Sequence, residues 1–220
     1  MSPGFLRALV FDCDGVLVDS EPHSEAAWVE ALGRRGHRAT VEDVAECIGL
    51  GYLPTYAHLA TVDPKVTLPP PEEFWPEVLA ALARSFDRGL EVFADAAESV
   101  AGLAFAGIPL AVASTSPRER LDLTLECSGL GRYFQATAAG DEVARGKPAP
   151  DVYLLAAERL GIPAEECLAV EDTGHGARAA IAAGMRVLGV ARLGSEAGPL
   201  LAAGAALVDA VDEVTLRVWL

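Results

Sequence analysis

Short apolar runs alternate with helix-like segments along most of the chain. The first run, FLRALVF at residues 5–11, ends at an acidic turn, as a buried strand does. Comparable apolar runs lie at 108–113, 134–139, 167–170 and 187–191, and helical patterns lie between or beside them at 117–127, 151–160 and 177–183. This alternation predicts an α/β protein whose parallel sheet is covered by helices, in three layers.

Residues 21–90 interrupt that alternation. Helical apolar spacing around Ala26–Leu32 is followed by a glycine and arginine turn, a second helical stretch, the proline cluster of Leu68–Pro71 and a further helical segment at Phe74–Phe86. We therefore predict a separate helical insertion after the first strand, called the cap below. Residues 1–18 and 92–220 would form a Rossmann-like core and residues 19–91 the cap.

Composition narrows the class of protein and its partners. With 220 residues, 51% of them apolar and 22% charged, the chain can bury a sizeable core. It has no apolar run of the length, about 18 residues, that a membrane helix needs and no signal-like amino terminus, so we expect a cytoplasmic protein. The net charge of −15 disfavours nucleic acid and anionic membranes as partners. A small ligand is the expected partner, and a monomer or small homo-oligomer the expected assembly.

Two residue types are informative through their scarcity. The four cysteines lie far apart without zinc-site spacing, so reduced thiols are expected and a zinc centre is not. Of the 17 basic residues, 15 are arginine, and only Lys65 and Lys147 are lysine. Lys147 stands between a glycine and a proline, just before a predicted helix, where its compact charge is not interchangeable with that of arginine.

Polar residues follow several predicted strands directly. In open α/β sheets the ligand crevice lies beyond the carboxyl ends of the strands, where loops meet helix amino termini. Hydroxyls and amides at a helix start suit phosphate, and paired carboxylates suit Mg²⁺. The residues at these strand ends are Asp12 and Asp14, then Ser114 and Thr115, then Lys147, and finally Glu171 and Asp172.

The charges of this group imply a metal ion. Four carboxylates against one ammonium leave an excess of negative charge before any phosphate arrives. A divalent cation would be needed to admit a phosphate dianion. We therefore predict a Mg²⁺ site among these side chains.

The four strand ends resemble the four motifs of the haloacid dehalogenase superfamily, in order and in flanking text. The matching segments are FDCDGVLVDSE, ASTSP, GKPAPDVY and EDTGHGARAA, and they are similar to the subfamily of phosphatases and β-phosphoglucomutase-like enzymes with a helical cap. The resemblance implies a Mg²⁺-dependent phosphatase acting on a small phosphorylated metabolite, such as a sugar phosphate or a phosphoglycolate-like acid.

The same resemblance assigns roles to residues. Asp12 would attack phosphorus to form an aspartyl phosphate, and Asp14 would protonate the leaving alcohol and then activate water. Ser114, Thr115 and Lys147 would hold the phosphoryl group. The metal would be bound by Asp12, the Asp14 carbonyl and Asp172, with Glu171 either ligating directly or acting through water.

Three other functions remain as alternatives. Phosphosugar mutases of this family carry a cap arginine after a glycine turn, and the corresponding stretch here, Gly49–Pro54, has none. A dinucleotide site is suggested by the glycines at 174 and 176 with Glu196 twenty residues on, although Glu171 and Asp172 would repel a pyrophosphate there. A binding protein without catalysis would be favoured by loss of the motif residues, all of which are present.

Overall fold

The computed structural model describes residues 6–47, 49–192 and 197–220, and the chain forms two compact units. The larger unit comprises Met1–Asp19 and Val92–Leu220, and the smaller unit comprises Ser20–Glu91. Asp19, which the sequence pattern assigned to the cap, belongs to the larger unit. None of the helices in the described part of the chain combines the length and apolarity that crossing a bilayer requires.

A parallel sheet forms the centre of the larger unit. In chain order the strands are β1 (Ala8–Phe11), β2 (Val18–Asp19), β3 (Glu91–Val92), β4 (Leu110–Ala113), β5 (Ala136–Ala138), β6 (Cys167–Glu171), β7 (Arg186–Val190) and β8 (Ala206–Val208). The sheet order is β5-β4-β1-β6-β7-β8, and β2 pairs with β3 in a separate ribbon. Every residue of β1, β4 and β6 is buried, which explains why β1 and β4 are apolar throughout and β6 is apolar up to its last residue, Glu171.

The α/β class is confirmed, and both units contain helices. Those of the smaller unit are α1 (Glu21–Arg34), α2 (Val41–Ala45), α3 (Tyr52–Val62) and α4 (Pro71–Phe86). Those of the larger unit are α5 (Ala94–Phe105), α6 (Arg118–Ser128), α7 (Asp151–Leu160), α8 (Gly174–Ala182), α9 (Ala197–Ala203) and α10 (Glu213–Arg217). Buried alanines of α7 and α8 lie in one cluster with residues of β1, β4 and β6, because small side chains let helices approach a sheet closely. Helix α8 begins three residues earlier than predicted, since the Thr173 hydroxyl accepts a hydrogen bond from the Gly176 amide at 3.1 Å.

The smaller unit has its own aromatic core. Trp28, Leu59 and Phe74 are buried at its centre. The ring of Tyr52 stacks on Trp28 with 5.6 Å between centroids, and its hydroxyl donates to the Pro71 carbonyl at 2.6 Å. The proline cluster ends in the first turn of α4. Proline is tolerated there because an amide at this position would have no hydrogen-bond partner within the helix.

The loop after β5 is held by a charged network. Glu142 accepts hydrogen bonds from Arg118 at 2.6 Å, from Arg159 at 2.8 and 3.1 Å and from the Ala139 amide at 2.9 Å. The network therefore fixes this loop to α6 and α7. Gly140 in the same loop lies against the carbonyl of Thr115, where an added Cβ would overlap it. The loop supports the residues after β4 for this reason.

We expect Glu142→Gln to destabilise the protein in a pH-dependent way. The hydrogen bond from Arg159, and then those from Arg118 and Ala139, lower the pKa of Glu142 from 4.5 to about 2. Its stabilisation is thus complete above pH 4.5 and is lost as the pH falls toward 2. Because the side chain is a quarter exposed, we expect a loss of only about 1 kcal/mol at pH 7.

Denaturant unfolding at pH 7 and at pH 3 measures the difference in unfolding free energy between Glu142→Gln and the unmodified protein. The difference from the unmodified protein should narrow at the lower pH. Glu158→Gln, at an exposed position of α7, is the matched control and should change the unfolding free energy at neither pH. A constant difference at both pH values would show that the charge of Glu142 contributes nothing.

Candidate active site

The predicted site residues lie at the carboxyl ends of β1, β4 and β6 and in the segment before α7, all within the larger unit. Asp12 directly follows β1, and its amide donates to the Val170 carbonyl of β6 at 2.9 Å. Glu171 is the last residue of β6, and Asp172 comes next. Neighbouring parallel strands therefore bring these carboxylates to the same edge of the sheet.

A glycine turn lets the first and fourth motifs approach each other. Gly15 has φ +79°, a conformation that residues with a Cβ adopt at a cost. A Cβ on Gly15 would also overlap the carboxylate of Asp172. The turn after Asp14 closes through a hydrogen bond from the Gly15 amide to the Val18 carbonyl at 2.9 Å. Glycine is required here for both backbone conformation and space.

Lys147 joins the motifs electrostatically. Its Nζ donates to Asp12 Oδ1 at 2.5 Å, to Glu171 Oε1 at 2.6 Å and to the Ala113 carbonyl at 3.0 Å. The side chain is only 4% exposed. A buried ammonium needs such partners, because its desolvation is otherwise very costly. The segment Lys147-Pro148 contains a cis peptide bond.

Burial and charge shift the pKa values of this pair upward. Burial raises the pKa of Asp12 to about 7, Lys147 opposes that rise, and Glu171 and Asp14 add to it. Burial alone would lower the pKa of Lys147, but Asp12 and Glu171 outweigh burial and raise it. The site thus holds more carboxylate charge than one lysine compensates. A divalent cation beside Asp12 would favour its ionised form.

Three buried carboxylates fit a divalent cation. One oxygen each of Asp12, Glu171 and Asp172 lies within 4.8 Å of the other two. Carboxylate oxygens of this kind are ligands for Mg²⁺, Ca²⁺ or Mn²⁺, so the donor set suits a hard divalent metal. The side chain of Asp14 is not part of this group. Only its main chain was expected to be a ligand.

Glu171 is already well supplied with hydrogen-bond donors. Its Oε1 accepts from Lys147 at 2.6 Å and from the Tyr153 hydroxyl at 2.7 Å. Its Oε2 accepts from the amide of Thr173 at 3.2 Å and from the hydroxyl of the same residue at 3.1 Å. Four donors on one carboxylate favour the second of the two expected roles, in which Glu171 acts on the metal through water.

The residues after β4 form a turn suited to an anion. Ser114 is 1% exposed, and its Oγ accepts a hydrogen bond from the Ser116 amide at 3.0 Å. The hydroxyl of Ser114 keeps its own proton to donate. Thr115 is partly exposed, and its backbone is backed by Gly140. Helix α6 begins just beyond, so its amino terminus adds a favourable field for phosphate.

Three polar residues that the sequence reasoning did not assign also belong here. Arg120 Nη2 lies 3.2 Å from Asp14 Oδ1, and Ser116 Oγ donates to Asp14 Oδ2 at 3.0 Å. Tyr153, which is fully buried, donates to Glu171 as described above. Arg120 and Tyr153 lie in the first turns of α6 and α7. The residue at which each helix begins sets the direction of these side chains around the helix axis. Only that information could have indicated that they point toward the site.

The glycines on which the dinucleotide alternative rests have another explanation. A Cβ on Gly176 would overlap the carboxylate of Glu171, and a Cβ on Gly174 would lie 2.7 Å from Cβ of Pro199. Both glycines are therefore explained by close packing, Gly176 against Glu171 and Gly174 against Pro199, without a bound nucleotide. Glu196, the acidic residue of that alternative, lies outside the described residues.

Comparison with known proteins identifies a family and several relatives. The family model "haloacid dehalogenase-like hydrolase" matches residues 6–184. The chain is 31% identical over 216 residues to "Phosphorylated carbohydrates phosphatase" of Thermotoga maritima, covering 95% of this chain and 96% of that protein. It is 32% identical over 204 residues to "Phosphoglycolate phosphatase" of Escherichia coli K12, covering 84% and 81%. It is also 35% identical over 198 residues to "Protein SUPPRESSOR OF QUENCHING 1, chloroplastic" of Arabidopsis thaliana, covering 88% of this chain but only 19% of that protein.

Solved structures agree with these relatives. A putative β-phosphoglucomutase from Thermotoga maritima superposes with a TM-score of 0.79 at 29% identity, covering 98% of this chain and 100% of that one. CbbY from Rhodobacter sphaeroides, solved in complex with phosphate, superposes with a TM-score of 0.86 at 27% identity and 96% coverage of both chains.

Proposed function

The chain belongs to the haloacid dehalogenase-like hydrolases, and from that premise we propose that it is a Mg²⁺-dependent phosphatase of small phosphorylated metabolites. Asp12 would be the nucleophile and would carry the phosphoryl group as an aspartyl phosphate. The observation that carries the proposal is the buried group in which Lys147 bonds Asp12 and Glu171 while Asp172 lies beside them. Named phosphatases among the relatives support the same class of reaction.

In the proposed mechanism a carboxylate oxygen of Asp12 attacks phosphorus, and the ester bond from phosphorus to the substrate oxygen breaks. Asp14 gives its proton to the departing alcohol. Water then attacks the phosphorus of the aspartyl phosphate, Asp14 takes a proton from that water, and inorganic phosphate leaves. The enzyme returns to its starting state, with Asp12 ionised and Asp14 protonated again.

The other residues would hold and neutralise the phosphoryl group. Lys147 fixes one oxygen of Asp12 at 2.5 Å and so orients the nucleophile. Ser114 and the Thr115 amide would donate to phosphoryl oxygens. Mg²⁺, held by Asp12, Asp172 and the main chain of Asp14, with Glu171 acting through water, would supply Lewis-acid stabilisation of the phosphoryl charge.

A sugar phosphate or a phosphoglycolate-like acid is the proposed substrate. One relative is named for phosphorylated carbohydrates and another for phosphoglycolate. A phosphosugar mutase is the second candidate, favoured by the similarity to a putative β-phosphoglucomutase. The stretch 49–54 lacks the cap arginine of the mutases, and on this ground the phosphatase is the first choice.

Phosphate release from a substrate panel tests the proposal. Sugar phosphates and small phosphoacids are each incubated with Mg²⁺, with chelator in parallel, and inorganic phosphate is measured. β-Glucose 1-phosphate with catalytic glucose 1,6-bisphosphate is followed separately for glucose 6-phosphate. Metal-dependent phosphate release supports the phosphatase, isomerisation with little release favours the mutase, and equal release with and without metal would contradict the metal dependence.

A further inference from the structure

We propose that Arg120 is a positioning residue for Asp14. Together with Ser116 it holds the Asp14 carboxylate in the orientation in which it exchanges a proton with the leaving oxygen. The inference rests on the proposed function, in which Asp14 is the acid and base. It concerns residues of the larger unit only.

The geometry engages both oxygens of Asp14 separately. Arg120 Nη2 lies 3.2 Å from Oδ1, and Ser116 Oγ lies 3.0 Å from Oδ2. A carboxylate held by two donors on different oxygens cannot rotate about its terminal bond without breaking one contact. Both donors come from the segment at the start of α6. The orientation of Asp14 is thus set by the residues that follow β4.

The residues that carry these donors are held at their backbones. Ser116 is only 6% exposed, and its backbone carbonyl accepts a hydrogen bond from the Gly140 amide at 2.9 Å. The Arg120 side chain is 19% exposed, and the backbone carbonyl of Arg120 accepts from the Thr124 hydroxyl at 2.9 Å. A rigid support of this kind is what a proton-transfer group needs, because small displacements reduce its efficiency strongly.

The positive charge of Arg120 has a second consequence. When Asp14 gives up its proton, the carboxylate that forms lies next to a guanidinium, which stabilises it. The benefit exists only for substrates whose leaving oxygen must be protonated. An alkyl phosphate has such a leaving group, whereas p-nitrophenyl phosphate releases p-nitrophenolate, a stable anion that needs no acid.

The test compares kcat/KM for both kinds of substrate, because kcat/KM reports the first transfer to Asp12 rather than its later hydrolysis. The alkyl substrate is the preferred compound of the panel. We expect Arg120→Met to lower kcat/KM about 30-fold on the alkyl phosphate and less than about 3-fold on p-nitrophenyl phosphate. Arg120→Lys, which keeps the charge and one donor, should recover part of the loss on the alkyl phosphate.

Two further variants separate the possible outcomes. Arg118→Met, in the same helical turn but paired with Glu142 and Asp122, should leave the ratio of the two kcat/KM values unchanged. Asp14→Asn should lower kcat/KM on the alkyl phosphate more than Arg120→Met does, again with a smaller effect on p-nitrophenyl phosphate. An equal loss on both substrates with Arg120→Met would mean phosphate binding or misfolding and would overturn the positioning role. Equal losses of kcat/KM on the two substrates with Asp14→Asn would instead overturn the proposed role of Asp14.

Discussion

Asp12→Asn is expected to abolish turnover, by a factor on the order of 10⁴ or more, while the fold stays intact. An amide oxygen is a poor nucleophile toward phosphorus, so the covalent route closes with almost no change in side-chain volume. Steady-state phosphate release with the best substrate of the panel measures the loss. Asp209→Asn, at an exposed position in the same unit, is the matched control and should keep full activity.

The stability of the same variant provides an independent check. Burial raises the pKa of Asp12 from 3.8 to about 7, so without metal its charged form is disfavoured by the fold above pH 7. A neutral asparagine removes that cost. Without Mg²⁺ at pH 8, Asp12→Asn should therefore be at least as stable to denaturant as the unmodified protein. Unfolding of the variant at much lower denaturant concentration would show that Asp12 is needed for the fold, and its inactivity would then say nothing about the nucleophile.

Lys147→Met is expected to have the second largest effect, on both activity and stability. The variant leaves Asp12 and Glu171 buried without the ammonium that bonds them at 2.5 and 2.6 Å. Removing one partner of such a group costs about 3 kcal/mol or more in unfolding free energy. We also expect turnover to fall about 10³-fold, because the phosphoryl charge loses a preorganised cation.

The other lysine of the chain provides the control for this prediction. Lys65 is exposed in the smaller unit, and Lys65→Met should change neither the unfolding free energy nor turnover by a measurable amount. Denaturant unfolding of metal-free protein and phosphate release with Mg²⁺ are the two measurements. If Lys147→Met keeps full stability and activity, Lys147 is not the cation that compensates these carboxylates.

The family and the α/β core were predictable because both depend on local patterns. Uniformly buried strands such as β1 are apolar along their length, and parallel strands present their carboxyl ends at one edge of the sheet. Residues at those ends, including Asp12 and Glu171, could therefore be grouped from the sequence alone. The short β8, with its three residues in an alanine-rich region, gives no comparable signal and was not predicted.

The contacts between the site residues were less predictable than the identity of those residues. The pairing of Arg120 with Asp14 and of Tyr153 with Glu171 depends on helix phase and on the angle at which each helix approaches the sheet. Neither can be read from spacing alone. The substrate is a further case, because the residues that choose among phosphorylated metabolites lie outside the motifs that carry the chemistry.

The most direct test of the account is to trap the phosphoryl group on the protein. A radiolabelled phosphate ester is mixed rapidly with enzyme and Mg²⁺, quenched in acid within one turnover, and the labelled peptide is sequenced by mass spectrometry. We expect a hydroxylamine-sensitive acyl phosphate on Asp12, and no label on Asp12→Asn. Phosphate release at the normal rate without any covalent label, or with the label on another residue, would contradict it.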